Sequence, residues 1–153
     1  MRTTIVNSVT AQLSTDQSPE AQHVEAQLPE DQRRSAVFVA ERPWGQFQQF
    51  VLNQHCTVKL ITVEPGRRLS LQKHALRDEL WQVLDVPLDV QVGERQWTAQ
   101  VGERIYTPAG SLHRLGNSGT QPGRILEVAF GHFDEQDIVR LQDDYARPET
   151  DRG

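Results

Sequence analysis

A long succession of short, strand-like runs, each closed by turn residues, is the feature that most constrains the fold of this chain of 153 residues. The runs are rich in valine, isoleucine, threonine and aromatic residues, whereas glycine, proline, asparagine and aspartate stand between them. They read FQQFVL (47–52), TVKLITV (57–63), LSLQKH (69–74), ELWQVL (79–84), LDVQVG (88–93), QWTAQVG (96–102), RIYTPAG (104–110), LHRLGN (112–117) and GRILEVAF (123–130). Many short strands at close, even spacing predict an all-β antiparallel sandwich or barrel of the jelly-roll kind.

The two ends of the chain depart from this pattern. Within residues 1–36, a glutamine recurs at every fifth position from Gln12 to Gln32, a period that matches neither helix nor strand, and Pro19 and Pro29 interrupt a helix. We interpret 1–36 as a low-complexity flexible tail, with a docking segment that folds on a partner as the alternative. The predicted globular domain spans 37–147, and residues 148–153 are expected to form a flexible C-terminus.

The last part of the predicted domain shows a different periodicity. In DEQDIVRLQDDYAR (134–147), Ile138, Leu141 and Tyr145 lie at helical spacing with charged residues between them. This spacing predicts a short C-terminal helix that packs on the barrel.

Composition excludes several kinds of partner. The formal net charge is −5 and the isoelectric point about 5.5, so a nucleic-acid surface is not expected. No apolar run approaches the length of a membrane span, and the first residues lack the apolar stretch of a signal peptide. Cys56 is the single cysteine, which favours a reducing compartment. We therefore expect a soluble cytoplasmic protein without nucleic-acid or membrane partners.

The stretch LSLQKHALRDELW carries polar side chains within strand-like sequence. Gln72 and His74 share one face of an extended run, because successive side chains in a strand point to opposite faces. If ALRD forms the tip of a hairpin, Glu79 lies on the returning strand across from His74. His113 follows another turn, in YTPAGSLHR, and enters a further strand.

Two neutral imidazoles, a carboxylate and an amide oxygen form a mixed nitrogen and oxygen set that suits a divalent transition metal. The alternative is that each histidine is a hydrogen-bonded core residue. Four protein ligands would leave room for water or substrate oxygens around a five- or six-coordinate ion.

The order of these motifs resembles the cupin domain of type II mannose-6-phosphate isomerases, which often follows a mannose-1-phosphate guanylyltransferase. The resemblance runs from about Glu41 to Arg147. It is carried by ERPWG (41–45), VKLITVEPG (58–66), LSLQKHALRDELWQV (69–83), YTPAGSLHRLGN (106–117), ILEV (125–128) and DIVRLQDDYAR (137–147). The resemblance implies a cupin fold, also called a double-stranded β-helix. It does not extend to the guanylyltransferase, so a nucleotide-sugar activity is not expected from these residues.

The resemblance also implies roles for individual residues. The positions that match metal ligands are Gln72, His74, Glu79 and His113. The implied cofactor is a divalent ion, with zinc as the first expectation and manganese, iron, cobalt and nickel as alternatives. The charged positions of the family pattern are matched by Lys59, Glu127 and Arg140 as catalytic candidates, and by Arg77, at the mouth of the site, and Arg147 as substrate-binding candidates. A small sugar phosphate is the implied partner, and a homodimer is a family-level expectation.

The chemistry of an aldose–ketose isomerase needs each of these parts. A base must move a proton between C2 and C1, a cation must stabilise the intermediate, and arginines suit a phosphate because their planar donors bind its oxygens in pairs. Glu127 or Lys59 is the candidate base, although the two could instead form a buried ion pair. Arg77 or Arg140 is the candidate for the phosphate. Arg140 and Arg147 could instead pair with Asp137, Asp143 or Asp144 on the surface of the predicted helix.

Three functions remain open from the sequence. The first is a metal-dependent isomerase of mannose 6-phosphate and fructose 6-phosphate. The second is a non-catalytic metal-containing cupin that binds a sugar phosphate or small metabolite. The third is another metal-cupin enzyme such as an oxygenase, because two histidines and a carboxylate also hold iron.

Overall fold

The computed structural model describes residues 37–147, and the predictions for 1–36 and 148–153 lie outside these residues. The described chain forms strands connected by turns and loops. The strands are β1 (Phe38–Arg42), β2 (Gly45–Gln49), β3 (Cys56–Val63), β4 (Leu71–Lys73), β5 (Arg77–Val83), β6 (Leu88–Val92), β7 (Arg95–Ala99), β8 (Arg104–Thr107), β9 (His113–Gly116), β10 (Gly123–Gly131) and β11 (Val139–Gln142).

The strands assemble into two larger sheets and a hairpin. The hairpin pairs β1 with β2, one sheet has the order β3-β10-β5-β8, and the other has the order β11-β4-β9-β6-β7. All of these pairs are antiparallel. The main buried cluster draws on both larger sheets: Val63, Trp81, Val83, Leu88, Val90, Ala99, Ile105, Leu115 and Ile125. The core therefore lies between two antiparallel sheets, and the all-β jelly-roll prediction is confirmed.

Strand β5 shows how alternation positions the site. Trp81 and Val83 belong to the cluster between the sheets, whereas Leu80 packs in a second cluster with Val128 and Phe130. Because side chains alternate along a strand, Glu79 leaves β5 on the same side as Trp81 and Val83. The predicted inward direction of Glu79 follows from this period, and its side chain is buried.

The predicted C-terminal helix is wrong. Residues 139–142 form β11, which pairs with β4 and shifts register between Arg140 and Gln142. Leu141 and Tyr145 are 52% and 45% exposed, so their helical spacing does not mark a buried face. Strand β4 offers backbone donors and acceptors to a partner distant in sequence, and this pairing overrides the local pattern.

The predicted hairpin at ALRD is also wrong. Strands β4 and β5 belong to different sheets, so the short link between them crosses from one sheet to the other. Because the link is short, His74 after β4 and Glu79 in β5 still lie close together. Within residues 37–147, no helix is long and apolar enough to cross a membrane.

Candidate metal centre

Three predicted ligands meet between the two sheets. His74 follows β4, Glu79 lies in β5 and His113 opens β9. One ligand atom from each residue lies within 4.8 Å of the others. Nε2 of His74 is 3.4 Å from Oε1 of Glu79, and Nε2 of His113 is 3.6 Å from Oε2 of the same carboxylate. All three residues are at most 3% exposed.

Backbone carbonyls orient both imidazoles. Nδ1 of His74 donates to the carbonyl of Asp137 at 2.7 Å, and Nδ1 of His113 donates to the carbonyl of Ser111 at 3.0 Å. A carbonyl oxygen only accepts, so each Nδ1 carries the proton and each Nε2 keeps its lone pair. Nε2 of His113 is buried and has no hydrogen-bond partner. The lone pair of His113 Nε2 is therefore available to a cation beside Glu79.

Burial also keeps the imidazoles neutral. It lowers the pKa of His74 to about 4, although the carboxylate of Glu79 opposes this shift. Burial likewise lowers the pKa of His113. Metal ligation requires deprotonated donors, and a carbonyl on the second ring nitrogen is the usual support for a ligating histidine. The donor set thus fits a divalent transition metal ion.

The fourth predicted ligand, Gln72, lies beside His74, but its side-chain oxygen is turned towards Ser70. Its Nε2 lies 3.3 Å from Nε2 of His74, while its Oε1 lies 2.7 Å from the hydroxyl of Ser70. The NH2 group of Gln72, rather than its amide oxygen, therefore faces His74. Gln72 would serve as an oxygen ligand only after its amide rotates.

Arg77 lies inside the site rather than at an open mouth. It is 6% exposed, its Nε donates to Oε1 of Glu79 at 3.0 Å, and its Nη2 is 2.9 Å from Nε2 of His74. Its Nη1 also donates to the carbonyl of Asp134 at 3.2 Å. A metal ion held by His74 would use the lone pair that Nη2 of Arg77 now contacts, so ligation by this nitrogen would require Nη2 to give up its contact.

A second carboxyl group, Glu127, is buried next to the three ligands. The indole Nε1 of Trp81 lies 3.2 Å from both Oε2 of Glu127 and Oε2 of Glu79. Burial, and then the negative charge of Glu79, raise the pKa of Glu127 to about 7, and Lys59 opposes this shift. A carboxyl that titrates near neutral pH suits proton transfer.

Lys59 and Glu127 do not form the alternative buried ion pair. They are opposite each other in the register of β3 and β10. The ammonium of Lys59 instead pairs with Oε1 of Glu135 at 2.7 Å, and its side chain is 37% exposed. It also lies 4.0 Å from the ring centroid of Phe133.

The two remaining arginines lie along the C-terminal segment. Arg140 is half-buried in β11 and stands opposite Gln72 in the register with β4. Arg147 is exposed, and its Nη2 lies 2.9 Å from Oδ1 of Asp143. The surface pairing considered for Arg147 is thus present, although not on a helix.

Sequence reasoning missed two residues of the segment between β10 and β11. The carboxylate of Asp137 accepts hydrogen bonds from the backbone N–H groups of Ala75 and Leu76 at 3.0 and 2.7 Å. Phe133 lies against Arg77, whose guanidinium carbon is 4.2 Å from the ring centroid. An aspartate followed by an apolar strand was visible in DIVRL, but a single phenylalanine in a loop carries no periodic signal.

The three ligands are closed off from solvent. A groove of about 740 Å³ lies beside β6, β7 and β9, and it contains none of the predicted ligands. The segment between β10 and β11 contacts His74 through the carbonyl of Asp137 and the neighbouring Arg77 through the carbonyl of Asp134.

Comparison with known proteins agrees with this architecture. Residues 29–143 match the family model described as "Mannose-6-phosphate isomerase C-terminal". The Xanthan biosynthesis protein XanB of Xanthomonas campestris pv. campestris is 37% identical over 135 residues, which cover 86% of this chain and 29% of XanB. The Alginate biosynthesis protein AlgA of Pseudomonas aeruginosa is 40% identical over 107 residues, which cover 69% of this chain and 22% of AlgA.

A solved structure supports the fold. A conserved protein with a double-stranded beta-helix domain from Klebsiella pneumoniae subsp. pneumoniae superimposes with a TM-score of 0.52 and 17% identity, over 61% of this chain and 80% of that one. The cupin fold expected from the sequence is thereby confirmed. This chain spans less than a third of the length of the two curated relatives, at 29% and 22%. Because the family model matches most of its length, the chain belongs to the family of mannose-6-phosphate isomerase C-terminal domains.

Proposed function

We propose that this domain is a metal-dependent isomerase that interconverts mannose 6-phosphate and fructose 6-phosphate. One observation carries the proposal: a buried carboxyl, Glu127, shares the indole N–H of Trp81 with the candidate ligand Glu79. A proton-transfer group thus adjoins a cation-binding set, which is the combination that the reaction requires.

In this proposal Glu127 is the base. Its carboxylate takes the proton from C2 of the aldose and returns it to C1, while the hydroxyl hydrogen on O2 moves to O1. Burial and Glu79 raise the pKa of Glu127 to about 7 in the metal-free protein, which makes the group a stronger base than an ordinary glutamate. Lys59 is less suited to this role, because Glu135 pairs with its half-exposed ammonium.

His74, Glu79 and His113 would hold the metal ion, with Gln72 as a fourth ligand after rotation of its amide. A divalent ion held there would supply positive charge against the negative charge that develops on the sugar oxygens. Zinc is the first choice for two imidazoles and a carboxylate. Arg77 and Lys59, both cations near the cluster, would bind the phosphate.

A coupled assay tests the proposal. The protein is loaded in turn with zinc, manganese, cobalt, nickel and iron, and the formation of fructose 6-phosphate from mannose 6-phosphate is followed. We expect turnover with at least one ion, its loss in His74→Ala together with the metal, and its loss in Glu127→Gln with the metal retained. Full turnover in Glu127→Gln would remove Glu127 as the base.

The burial of the cluster favours a second candidate, a metal-containing module that binds a sugar phosphate without turnover. All three ligands are at most 3% exposed, and Arg77 contacts two of them. Stoichiometric metal and sugar-phosphate binding without turnover, for every ion, would favour this module. Oxygen consumption by the iron-loaded protein would point instead to an oxygenase.

A further inference from the structure

Phe133 contacts two cations of the site. Its ring centroid lies 4.2 Å from the guanidinium carbon of Arg77 and 4.0 Å from Nζ of Lys59. Both distances are well within the range in which the negative face of an aromatic ring attracts a cation. A half-buried phenylalanine in a loop therefore joins two side chains that come from strands β5 and β3.

Each cation also pairs with a carboxylate. Nε of Arg77 donates to Oε1 of the buried Glu79 at 3.0 Å, whereas Nζ of Lys59 pairs with the exposed Glu135 at 2.7 Å. The carboxylate of Glu135 is 59% exposed, so an incoming anion can displace it at little cost. Glu79 is fixed among the candidate ligands and cannot leave in this way.

We propose that Phe133 is a positioning residue that holds Arg77 and Lys59 as a clamp for a dianionic group of the substrate, and that Glu135 competes with this group for Lys59. The inference rests on the proposed function in taking the dianion to be the phosphate of a sugar phosphate. Phe133 itself makes no bond to the substrate.

The physical argument is preorganisation. Lysine and arginine side chains are flexible, and ordering them when a ligand binds costs conformational entropy. The ring of Phe133 helps to order Lys59 before the ligand arrives, and it adds a contact to the hydrogen bonds that already fix Arg77. Contact with the same ring also keeps the two positive charges no more than about 8 Å apart, which favours a doubly charged anion near them over a neutral ligand.

Glu135 makes the clamp selective. Its single carboxylate satisfies Lys59 when the substrate is absent, and a phosphate dianion carries more charge and more acceptor oxygens than a carboxylate. A neutral sugar offers no charge to replace that of Glu135. The clamp should therefore discriminate against sugars without phosphate.

Calorimetric titration of the metal-loaded full chain with fructose 6-phosphate tests this inference, with fructose as the neutral comparison. Phe133→Leu keeps an apolar side chain but removes the ring face, and we expect it to weaken binding about fivefold. Phe133→Tyr keeps the ring face and should stay within about twofold of the wild type. Glu135→Gln removes the competitor and should tighten binding about twofold to threefold at low salt, with a smaller gain at high salt.

A matched control lies outside the site. Phe47 on the β1–β2 hairpin contacts the guanidinium of Arg42 at 5.0 Å, so Phe47→Leu removes a similar contact and should leave binding unchanged. Metal content and the unfolding midpoint are measured for every variant. Wild-type affinity in Phe133→Leu, or an equal loss in Phe133→Tyr, would overturn the proposal.

The kinetics separate this inference from the proposed isomerase. In an active enzyme, Phe133→Leu should raise KM and change kcat less, because it acts on phosphate binding. An active enzyme whose KM does not respond to Phe133→Leu refutes the clamp alone. An inactive protein that binds fructose 6-phosphate through Phe133 refutes the isomerase alone, and a wild type that binds no fructose 6-phosphate refutes both.

Discussion

The pH dependence of stability offers a direct test of the buried carboxyl pair. The perturbation is Glu127→Gln in the metal-free protein, kept so by a chelator. Glutamine keeps the shape of the side chain and an oxygen that accepts from Nε1 of Trp81, so the change mainly removes one titrating group. The substitution therefore isolates the free energy that is linked to the proton of Glu127.

The sign and size follow from the pKa. The ordinary value of 4.5 is raised to about 7 in the folded protein, first by burial and then by Glu79. The unfolded chain releases the proton of Glu127 above about pH 4.5, whereas the folded protein keeps it until about pH 7, so this group makes stability fall as pH rises through that window. Since one pKa unit corresponds to about 1.4 kcal/mol, the loss amounts to about 3 kcal/mol by pH 8.

Two buried histidines change the stability with pH in the opposite direction. Burial lowers the pKa of His74 to about 4 from 6.5 and lowers that of His113 as well, so their contribution is present above pH 6.5 and is lost as pH falls. The wild type alone would show the sum of both effects. The difference between Glu127→Gln and the wild type removes most of the histidine contribution, since both proteins carry it.

Urea unfolding at several values between pH 4.5 and 8.5 provides the measurement. We expect Glu127→Gln to gain about 3 kcal/mol relative to the wild type across this range, with most of the change complete by pH 7.5. Glu135→Gln removes a carboxylate that is 59% exposed and serves as the control. A constant difference between Glu127→Gln and the wild type would refute the reasoning that burial and Glu79 hold the proton on Glu127.

Three further predictions concern the ligands and their support. His74→Ala should lower bound metal at least tenfold, as measured by elemental analysis after dialysis, because it removes one of three nitrogen and oxygen donors. Asp137→Ala should cost about 1–3 kcal/mol in urea unfolding, because two backbone N–H groups lose their acceptor, and Asp137→Asn, which keeps one oxygen, should cost less. Gly131→Ala should cost more than about 2 kcal/mol, because Gly131 has a φ of 122° and a Cβ there would collide with the carbonyl of Leu76. An unfolding midpoint for Gly131→Ala equal to that of the wild type would contradict this last prediction.

The sequence predicts the strands and the inward direction of Glu79 well because alternation is a local property. Glu79, Trp81 and Val83 share a face in any strand that contains them, so the inward direction of Glu79 needs no knowledge of its neighbours. The turn at Pro108 and Gly110 similarly places His113 at the start of a strand. The sheet to which each strand belongs depends on pairing between distant parts of the chain, so the local sequence predicts a hairpin at ALRD where the chain crosses between sheets.

The C-terminal segment shows the limit of periodicity. Ile138, Leu141 and Tyr145 have helical spacing, yet only Ile138 is buried. Long-range polar contacts hold the segment instead: Arg68 pairs with Asp144 at 2.8 Å, and Arg114 donates to Gln142 at 3.0 Å. Neither arginine lies near its partner in sequence, so a local pattern could not indicate the strand.

The charge of the buried cluster links metal binding to the ionisation of the base. Glu79 is a principal reason, after burial, that the pKa of Glu127 rises to about 7. A divalent cation on Glu79 would offset that negative charge, and a nearby cation favours the ionised form of a carboxyl group. Glu127 should therefore ionise at a lower pH in the loaded protein than in the metal-free one. The metal would then stabilise the negative charge that develops on the substrate and also favour the ionised form of Glu127, which can accept a proton. The indole N–H of Trp81, which lies 3.2 Å from both carboxyl groups, keeps the candidate ligand and the candidate base close enough for this coupling.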